Sequence, residues 1–254
     1  MASIPGIDVA RYQGEPDWAA VRGAGFAFSY IKATEGVGYV SPTLDSQLNG
    51  ARAAGLVTGL YHFARPDTNS PQAEAADFAG QLARTNSSGA GNLPPCLDME
   101  TEAADLGAWI KGFVDALRGH TGRNEVVVYA SSSWFSDKLA TDSWVDPGVF
   151  LWVAHYGQPP GQPGFLTDRV AIHQHASDGQ VPGIGGTPTS TCRWWTCPCS
   201  RVAPPRRLHR PHRPRPRPTW CSRGTRSPVS ARRSGWPGSP SRRPTASATR
   251  TSST

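Results

Sequence analysis

Short apolar segments alternate with helix-like segments through most of the first 186 residues. The apolar segments have the length and composition of buried strands, and the segments between them carry helix-capping residues, prolines and glycines at their ends. Repeated strand–helix units with buried strands predict a parallel sheet, and this number of units favours a closed barrel. The predicted strands cover residues 4–10, 26–32, 57–63, 93–99, 125–130, 150–155 and 170–175, and the predicted helices cover residues 17–22, 42–54, 71–85, 104–119 and 131–139.

Polar and aromatic side chains occur at or near the carboxyl end of strand after strand. In β/α barrels the carboxyl ends of the parallel strands meet at one face, and functional residues lie on that face. We therefore expect these side chains to come together in one site. They are Asp8, Glu35, His62, Asp98, Glu100, Tyr129, Trp152 and Gln174.

The segment 93–100 carries two carboxylates, Asp98 and Glu100, at the end of a predicted strand. Side chains two positions apart on a strand point to the same face. Two carboxylates held close together have their pKa values pushed apart, which leaves one as an acid and one as an anion. Hydrolysis of a glycosidic bond needs such a pair. The alternative is that this Asp-x-Glu pattern only caps the helix that follows.

The composition changes abruptly near Gly186. All 19 acidic residues lie in residues 1–186, whereas residues 187–254 contain fifteen arginines, twelve prolines and no acidic residue. A chain of the second kind buries too little apolar surface to offset its ordering entropy. We therefore predict one folded domain over residues 1–186 and a disordered, low-complexity Arg/Pro-rich tail over residues 187–254.

Five separated motifs resemble the glycoside hydrolase family 25 lysozymes, which are muramidases of the Chalaropsis type. They read GIDV at 6–9, IKATEG at 31–36, GLYHF at 59–63, LDME at 97–100 and LWVAHYG at 151–157, in the family's order. The resemblance covers about residues 4–186 and implies an α/β, TIM-like barrel with five β/α units and three further strands. It also implies cleavage of the β-1,4 bond between N-acetylmuramic acid and N-acetylglucosamine in peptidoglycan, without a metal or cofactor.

The resemblance implies roles for three acidic residues. Glu100 matches the general acid, which protonates the departing glycosidic oxygen. Asp98 matches a carboxylate that either assists the substrate's N-acetyl group or stabilises the developing positive charge. Asp8 matches a third acidic residue of the same groove. Whether the reaction retains or inverts the anomeric configuration depends on the separation of the carboxylates.

Further residues at the strand ends are expected to bind substrate. Glu35 has an alternative role as an ion-pair partner of Lys32 or Arg65. The aromatic residues are suited to stacking on sugar rings, but they could instead belong to the core. His62 is expected to be a packing residue rather than an acid or base. The substrate-binding set is Glu35, Tyr61, Tyr129, Trp152 and Gln174.

The resemblance ends where the composition changes. The family continues with a motif close to Val-Asp-Leu-Asn, which forms the last strand and carries a fourth groove carboxylate, but here the chain reads TPTSTCRWWTCP from residue 187. We therefore expect the last strand to be missing, or to be replaced by pairing of residues 189–195. G/C-rich codons for residues 189–192, read from their third base, yield Val-Asp-Leu, which is consistent with an out-of-frame ending. Alternatively, the tail binds anionic polymers such as teichoic acid.

Three functions fit these observations: a muramidase that degrades bacterial cell walls, a catalytically impaired peptidoglycan-binding protein, and a chitinase-like barrel hydrolase. We expect no cofactor, no metal, no nucleic-acid partner, no membrane insertion and a monomeric state. Cys96 is expected to be a buried free thiol. The first residues lack the features of a signal peptide, which predicts cytoplasmic synthesis and release to the wall through a holin or another route.

Overall fold

The computed structural model describes residues 4–185 and the backbone of residues 195–196. The predicted disorder of the tail lies outside these residues, as do its cysteines. The domain boundary near residue 186 also falls at the end of the described part, so both stay predictions.

Within the described residues, nine strands form a single sheet that curls into a half-barrel. Six pairs of neighbouring strands are parallel: β1–β2, β2–β4, β4–β5, β5–β6, β6–β7 and β7–β8. The predicted parallel α/β architecture is therefore confirmed. The strands are β1 (Gly6–Val9), β2 (Phe28–Glu35), β3 (Tyr39–Val40), β4 (Val57–Phe63), β5 (Cys96–Asp98), β6 (Val126–Ser131), β7 (Val149–Ala154), β8 (Val170–Gln174) and β9 (Trp195–Thr196).

The five predicted helices are all present, and side chains cap the first turns of four of them. Asp17 accepts hydrogen bonds from the amides of the first turn of α1, and Ser70 does the same before Pro71 at the start of α3. Asp105 caps α4. These residues satisfy amide groups that have no partner inside a helix. The helices are α1 (Trp18–Gly23), α2 (Leu44–Ala53), α3 (Pro71–Arg84), α4 (Leu106–Thr121) and α5 (Ser132–Asp137).

The alternation of side chains along the strands divides the core into two layers. One layer lies between the sheet and the helices and includes Ile7, Val9 and Leu97. The inner layer lies on the other face of the sheet and includes Cys96 and Tyr129. Because consecutive side chains on a strand point to opposite faces, a polar residue between two helix-facing residues points inward. This alternation directs the carboxylates that end β1 and β5 to the inside of the curl.

The structure departs from the predicted elements at both ends of the sheet. Strand β2 continues to Glu35, three residues beyond its predicted end, and turns back through Gly36 and Gly38 into β3, which was not predicted. Both glycines have positive φ values, 53° and 86°, which a tight turn requires. At the other end, β9 pairs with β8 in antiparallel orientation, with Trp195 opposite Gln174. β9 overlaps the stretch 189–195 only at Trp195, and the rest of that stretch lies outside the described residues, so its replacement of the last parallel strand stays a prediction.

The absence of a side chain at Gly59 lets the inner layer pack tightly. A Cβ at this position would lie 2.4 Å from the Tyr30 ring and 2.8 Å from the Cβ of Leu93. We predict that Gly59→Ala lowers the free energy of unfolding by about 1–3 kcal/mol, because overpacking forces side chains from their preferred rotamers. Urea-induced unfolding measures the change.

The matched control is Gly80→Ala in α3, where an added Cβ would meet nothing within 4 Å. This variant should gain up to about 1 kcal/mol, because alanine favours a helix over glycine. Equal effects of the two substitutions would show that the inner layer has room for the methyl group.

Candidate functional site

A pocket with an empty volume of about 190 Å³ lies on the inner face of the sheet. Asp8 and Asp98, only 5% and 7% exposed, contribute its carboxylates. Asp98, Tyr129 and Trp152 are successive Cα partners across β5, β6 and β7, so they lie side by side. The pocket therefore brings together five of the residues that the sequence predicts. It is lined by Asp8, Tyr61, Cys96, Asp98, Tyr129 and Trp152.

Gln174 joins the first strand of the sheet to the eighth. Its Nε2 donates to Asp8 Oδ2 at 3.3 Å, and its Oε1 accepts from Tyr129 Oη at 2.9 Å and from Tyr156 Oη at 2.8 Å. Gln174 is fully buried. We infer that it orients Asp8 and the two tyrosines. Its direct contact with substrate stays a prediction.

Glu100 lies two residues beyond the end of β5 and has an exposed side chain. The backbone on each side of it is held by a hydrogen bond. Met99 N donates to Tyr129 O at 2.9 Å, and Thr101 Oγ1 donates to Ala64 O at 3.1 Å. Glu100 is therefore accessible to solvent on a segment that is fixed to the neighbouring strands.

Cys96 is a buried free thiol, as predicted. Burial raises its pKa well above the usual value, and the negative charges of Asp98 and Asp8 raise it further. The thiol therefore stays protonated and contributes no charge to the pocket.

Glu35 forms the predicted ion pairs with both of its candidate partners. Lys32 Nζ lies 2.6 Å from Glu35 Oε2, and Arg65 Nε donates to Glu35 Oε1 at 2.9 Å. Burial raises the pKa of Glu35, but the hydrogen bonds and charges of Lys32 and Arg65 outweigh it, so the pKa is lowered. Glu35 is therefore held as an anion. Its contact with substrate stays a prediction.

His62 is a fully buried packing residue, as expected. Its Nδ1 lies 2.8 Å from Thr34 Oγ1, and its Nε2 lies 2.6 Å from Glu74 Oε2. Glu74 is also fully buried and accepts a hydrogen bond from the backbone amide of Arg65 at 3.1 Å. The sequence did not predict a buried Glu74, because an acidic residue in the first turn of a helix is normally exposed. Through its hydrogen bond to Arg65, Glu74 holds the loop after β4 in place.

The described part of the chain gives two further findings. Among residues 4–185, no three His, Cys, Asp or Glu side chains lie together in a way that could hold a metal ion. In the same range, every helix is too short or too polar to cross a membrane.

Comparison with known proteins identifies the family. Residues 7–184 match the sequence profile of Glycosyl hydrolases family 25. The chain belongs to this family. It is 34% identical to lysozyme M1 of Streptomyces globisporus over 202 residues, which are 73% of this chain and 66% of that protein, or just under two thirds of its length.

Two further similar proteins agree with this assignment. The chain is 33% identical to the N,O-diacetylmuramidase of Chalaropsis sp. over 173 residues, 63% of this chain and 81% of that protein. The crystal structure of the bacterial lysozyme from Streptomyces coelicolor is similar to it with a TM-score of 0.66 at 31% identity, over 80% of this chain and 95% of that one. The resemblance and the fold class predicted from the motifs are therefore confirmed.

His173, beside Gln174 on β8, is held in one tautomer. Gly161 N donates to its Nδ1 at 3.1 Å, so Nε2 carries the proton and donates to His155 O at 3.0 Å. Burial lowers the pKa of His173 below its usual 6.5 by more than the hydrogen bond to the His155 backbone raises it, and the charges of His175 and His155 lower it further. The neutral ring thus anchors the loop after β7 that carries Tyr156.

This arrangement predicts that stability falls as the pH drops below about 6.5. In that range the unfolded chain binds a proton at His173 that the folded chain excludes, so protonation favours unfolding. His173→Gln should flatten the dependence of the melting temperature on pH between about pH 7 and pH 5. His120→Gln, at an exposed position in α4, is the control and should leave the slope unchanged. If the melting temperature of His173→Gln has the same pH dependence as that of the parent, other groups cause this dependence.

Proposed function

We propose that this chain is a muramidase, which hydrolyses the β-1,4 bond between N-acetylmuramic acid and N-acetylglucosamine in bacterial peptidoglycan. The observation that carries this proposal is the inner pocket, in which Asp8 and Asp98 lie with aromatic side chains in a family 25 fold. The names of its relatives, lysozyme and N,O-diacetylmuramidase, support the substrate class. We further propose that the chain acts on the wall as a monomer, after release through a holin or another route.

Glu100 is the proposed general acid. It lies two residues beyond Asp98, which lines the pocket, its side chain is exposed, and the residues on both sides of it are held by hydrogen bonds. It protonates the departing glycosidic oxygen while positive charge develops at the anomeric carbon. Glu35 is a poorer candidate, because its ion pairs lower its pKa and so disfavour the protonated form.

Asp98 and Asp8 are the proposed stabilising carboxylates. Both are largely buried on the inner face, where water screens charge less than at the surface. A negative charge held there favours the developing positive charge of the sugar ring. Asp98 also has the alternative role of orienting the substrate's N-acetyl group. Gln174 supports either role by its hydrogen bond to Asp8.

The aromatic side chains form the proposed sugar-binding wall. The ring centroids of Tyr129 and Trp152 are 4.8 Å apart in an edge-to-face arrangement, and Trp152 also lies 5.1 Å from Tyr30. Such contacts hold the rings in one orientation. Tyr61 lines the same pocket from β4, and its ring is suited to stacking on the apolar face of a sugar.

The second candidate is a catalytically impaired peptidoglycan-binding protein. It is favoured by one observation: residues 187–254 lack any acidic residue, so they cannot supply the fourth groove carboxylate that the family resemblance implies. A chitinase-like hydrolase is less well supported, because the family 25 match spans residues 7–184. Reducing-sugar release from peptidoglycan but not from chitin selects the muramidase, and binding without release selects the impaired protein.

The catalytic assignment predicts that Glu100→Gln lowers turnover on purified peptidoglycan by about 10²–10⁴-fold, because general acid catalysis contributes that much. Asp98→Asn should also be severely impaired. The control is Glu102→Gln, an exposed neighbour that pairs with Lys138 and should keep parental turnover. Wall binding and the melting temperature of Glu100→Gln should be unchanged. Near-parental turnover by Glu100→Gln would exclude it as the acid.

The C-terminal departure from the family motif predicts that this chain is a weak enzyme. Replacing residues 187–254 with a short segment that restores Val-Asp-Leu-Asn and its strand should raise both lytic activity and the melting temperature. The control is the same replacement with Val-Asn-Leu-Asn, which keeps the strand but not the carboxylate. Equal lysis by the original and repaired chains would show that the fourth carboxylate is dispensable.

A further inference from the structure

A second groove, with an empty volume of about 1180 Å³, lies at the carboxyl ends of β1, β2 and β4. We call it the basic groove. Three of its side chains are cations and one, Glu35, is an anion, so the lining carries a net charge of +2. The charged residues are Arg11, Lys32, Glu35 and Arg65, and the aromatic ones are Tyr12, Tyr39 and Phe63.

The basic groove is directly adjacent to the catalytic pocket. Lys32 on β2 is the Cα partner of Tyr61, which lines the pocket, and Phe63 on β4 is the Cα partner of Asp98. Neighbouring strands of a sheet are about 4.8 Å apart. A branch on a sugar bound over the pocket would therefore start within reach of the basic groove.

Aromatic rings hold the cations in position. Lys32 Nζ lies 4.7 Å from the centroid of the Phe63 ring, and the Arg65 guanidinium lies 4.8 Å from the same ring. The Arg11 guanidinium lies 5.0 Å from the Tyr12 ring. Cation–π contacts of this kind orient a cation without neutralising it. The groove is thus arranged for an anion before any ligand arrives.

Glu35 does not neutralise the groove. Its single carboxylate is shared between Lys32 and Arg65, while Arg11 contacts Tyr12. Arg65 directs Nε and Nη2 to Glu35, and a guanidinium has five N–H donors in total. Its side chain remains 43% exposed. Arg65 and Arg11 can therefore offer the paired donors that suit a carboxylate.

We propose that the basic groove binds a carboxylate of the peptide stem that is attached to N-acetylmuramic acid. This inference rests on the proposed muramidase function. A chain of N-acetylglucosamine alone carries no charge, so it has nothing to pair with the cations of the groove. A stem joined to the lactyl group of muramic acid carries free carboxylates and starts at the sugar in the pocket. The groove would give the protein a higher affinity for glycan that carries peptide stems than for glycan that lacks them.

The test uses the double variant Arg11→Gln/Arg65→Gln in the full chain. Binding is measured by calorimetry on a Glu100→Gln background that prevents hydrolysis. The two ligands are soluble disaccharides that contain N-acetylmuramic acid, one with its peptide stem and one, called stem-free, whose lactyl carboxyl group is capped as a methylamide and carries no charge. The expected result is about a tenfold or greater weakening for the stem-bearing disaccharide, since one lost ion pair to a carboxylate commonly costs that much. Binding of the stem-free disaccharide should stay within about twofold.

Two controls separate the groove from general charge effects. Arg84→Gln/Lys111→Gln makes the same charge change on α3 and α4, where both residues are exposed in ion pairs, and should not alter either affinity. If the double variant fails to fold, Arg11→Gln alone is used, because its side chain is exposed. Melting temperatures of all variants verify the fold.

Each outcome decides the inference. Equal weakening for both disaccharides, or no weakening, would overturn it. If the double variant has a lower affinity only for wall fragments that carry teichoic acid, the groove binds phosphate, and this result would also overturn the inference. Failure of the proposed function is distinct: the parent chain would then release no reducing sugar, whereas stem-dependent binding could still be measured.

Discussion

The alternation of side chains across a parallel sheet is the constraint on which both the core and the site depend. Ile7 and Val9 face the helices, so Asp8 between them faces inward. Leu97 faces the helices, so Cys96 and Asp98 face inward. A shift of one residue in either strand would bury a carboxylate among apolar helix side chains at a large cost in free energy. The hydrophobic pattern therefore also positions the acidic residues.

The acidic residues have different environments. These differences distinguish residues with a structural role from residues that are suited to catalysis. Glu74 is paired with His62 inside the protein, and Glu35 is shared by two cations at the edge of a groove. Removing either partner of the buried His62–Glu74 pair leaves an uncompensated group, so Glu74 suits a structural role. Asp98 instead lines a pocket, in a family of glycosyl hydrolases. The environment of a carboxylate is thus a better guide to its role than its place in the sequence.

Much of the fold and of the site could be predicted from the sequence, because the sequence patterns that indicate them are local. Apolar runs and capping residues mark the strands and helices, and strand ends in a barrel share one face. The β3 hairpin was missed because a two-residue strand has no periodicity, although Gly36 and Gly38 marked its turn. The burial of Glu74 and the hydrogen bonds of Gln174 were missed because they depend on residues from distant parts of the chain.

The hydrogen bond between Gln174 and Asp8 also indicates when the site forms as the chain is synthesised. It joins residues 166 positions apart, so it requires the eighth strand to be in place beside the first. Domains made in order on the ribosome acquire such long-range contacts last. Asp8 emerges early but gains its buried partner only when nearly the whole domain has been synthesised. A nascent or truncated chain lacking β8 would therefore carry the carboxylates of the pocket without the hydrogen bond that orients Asp8.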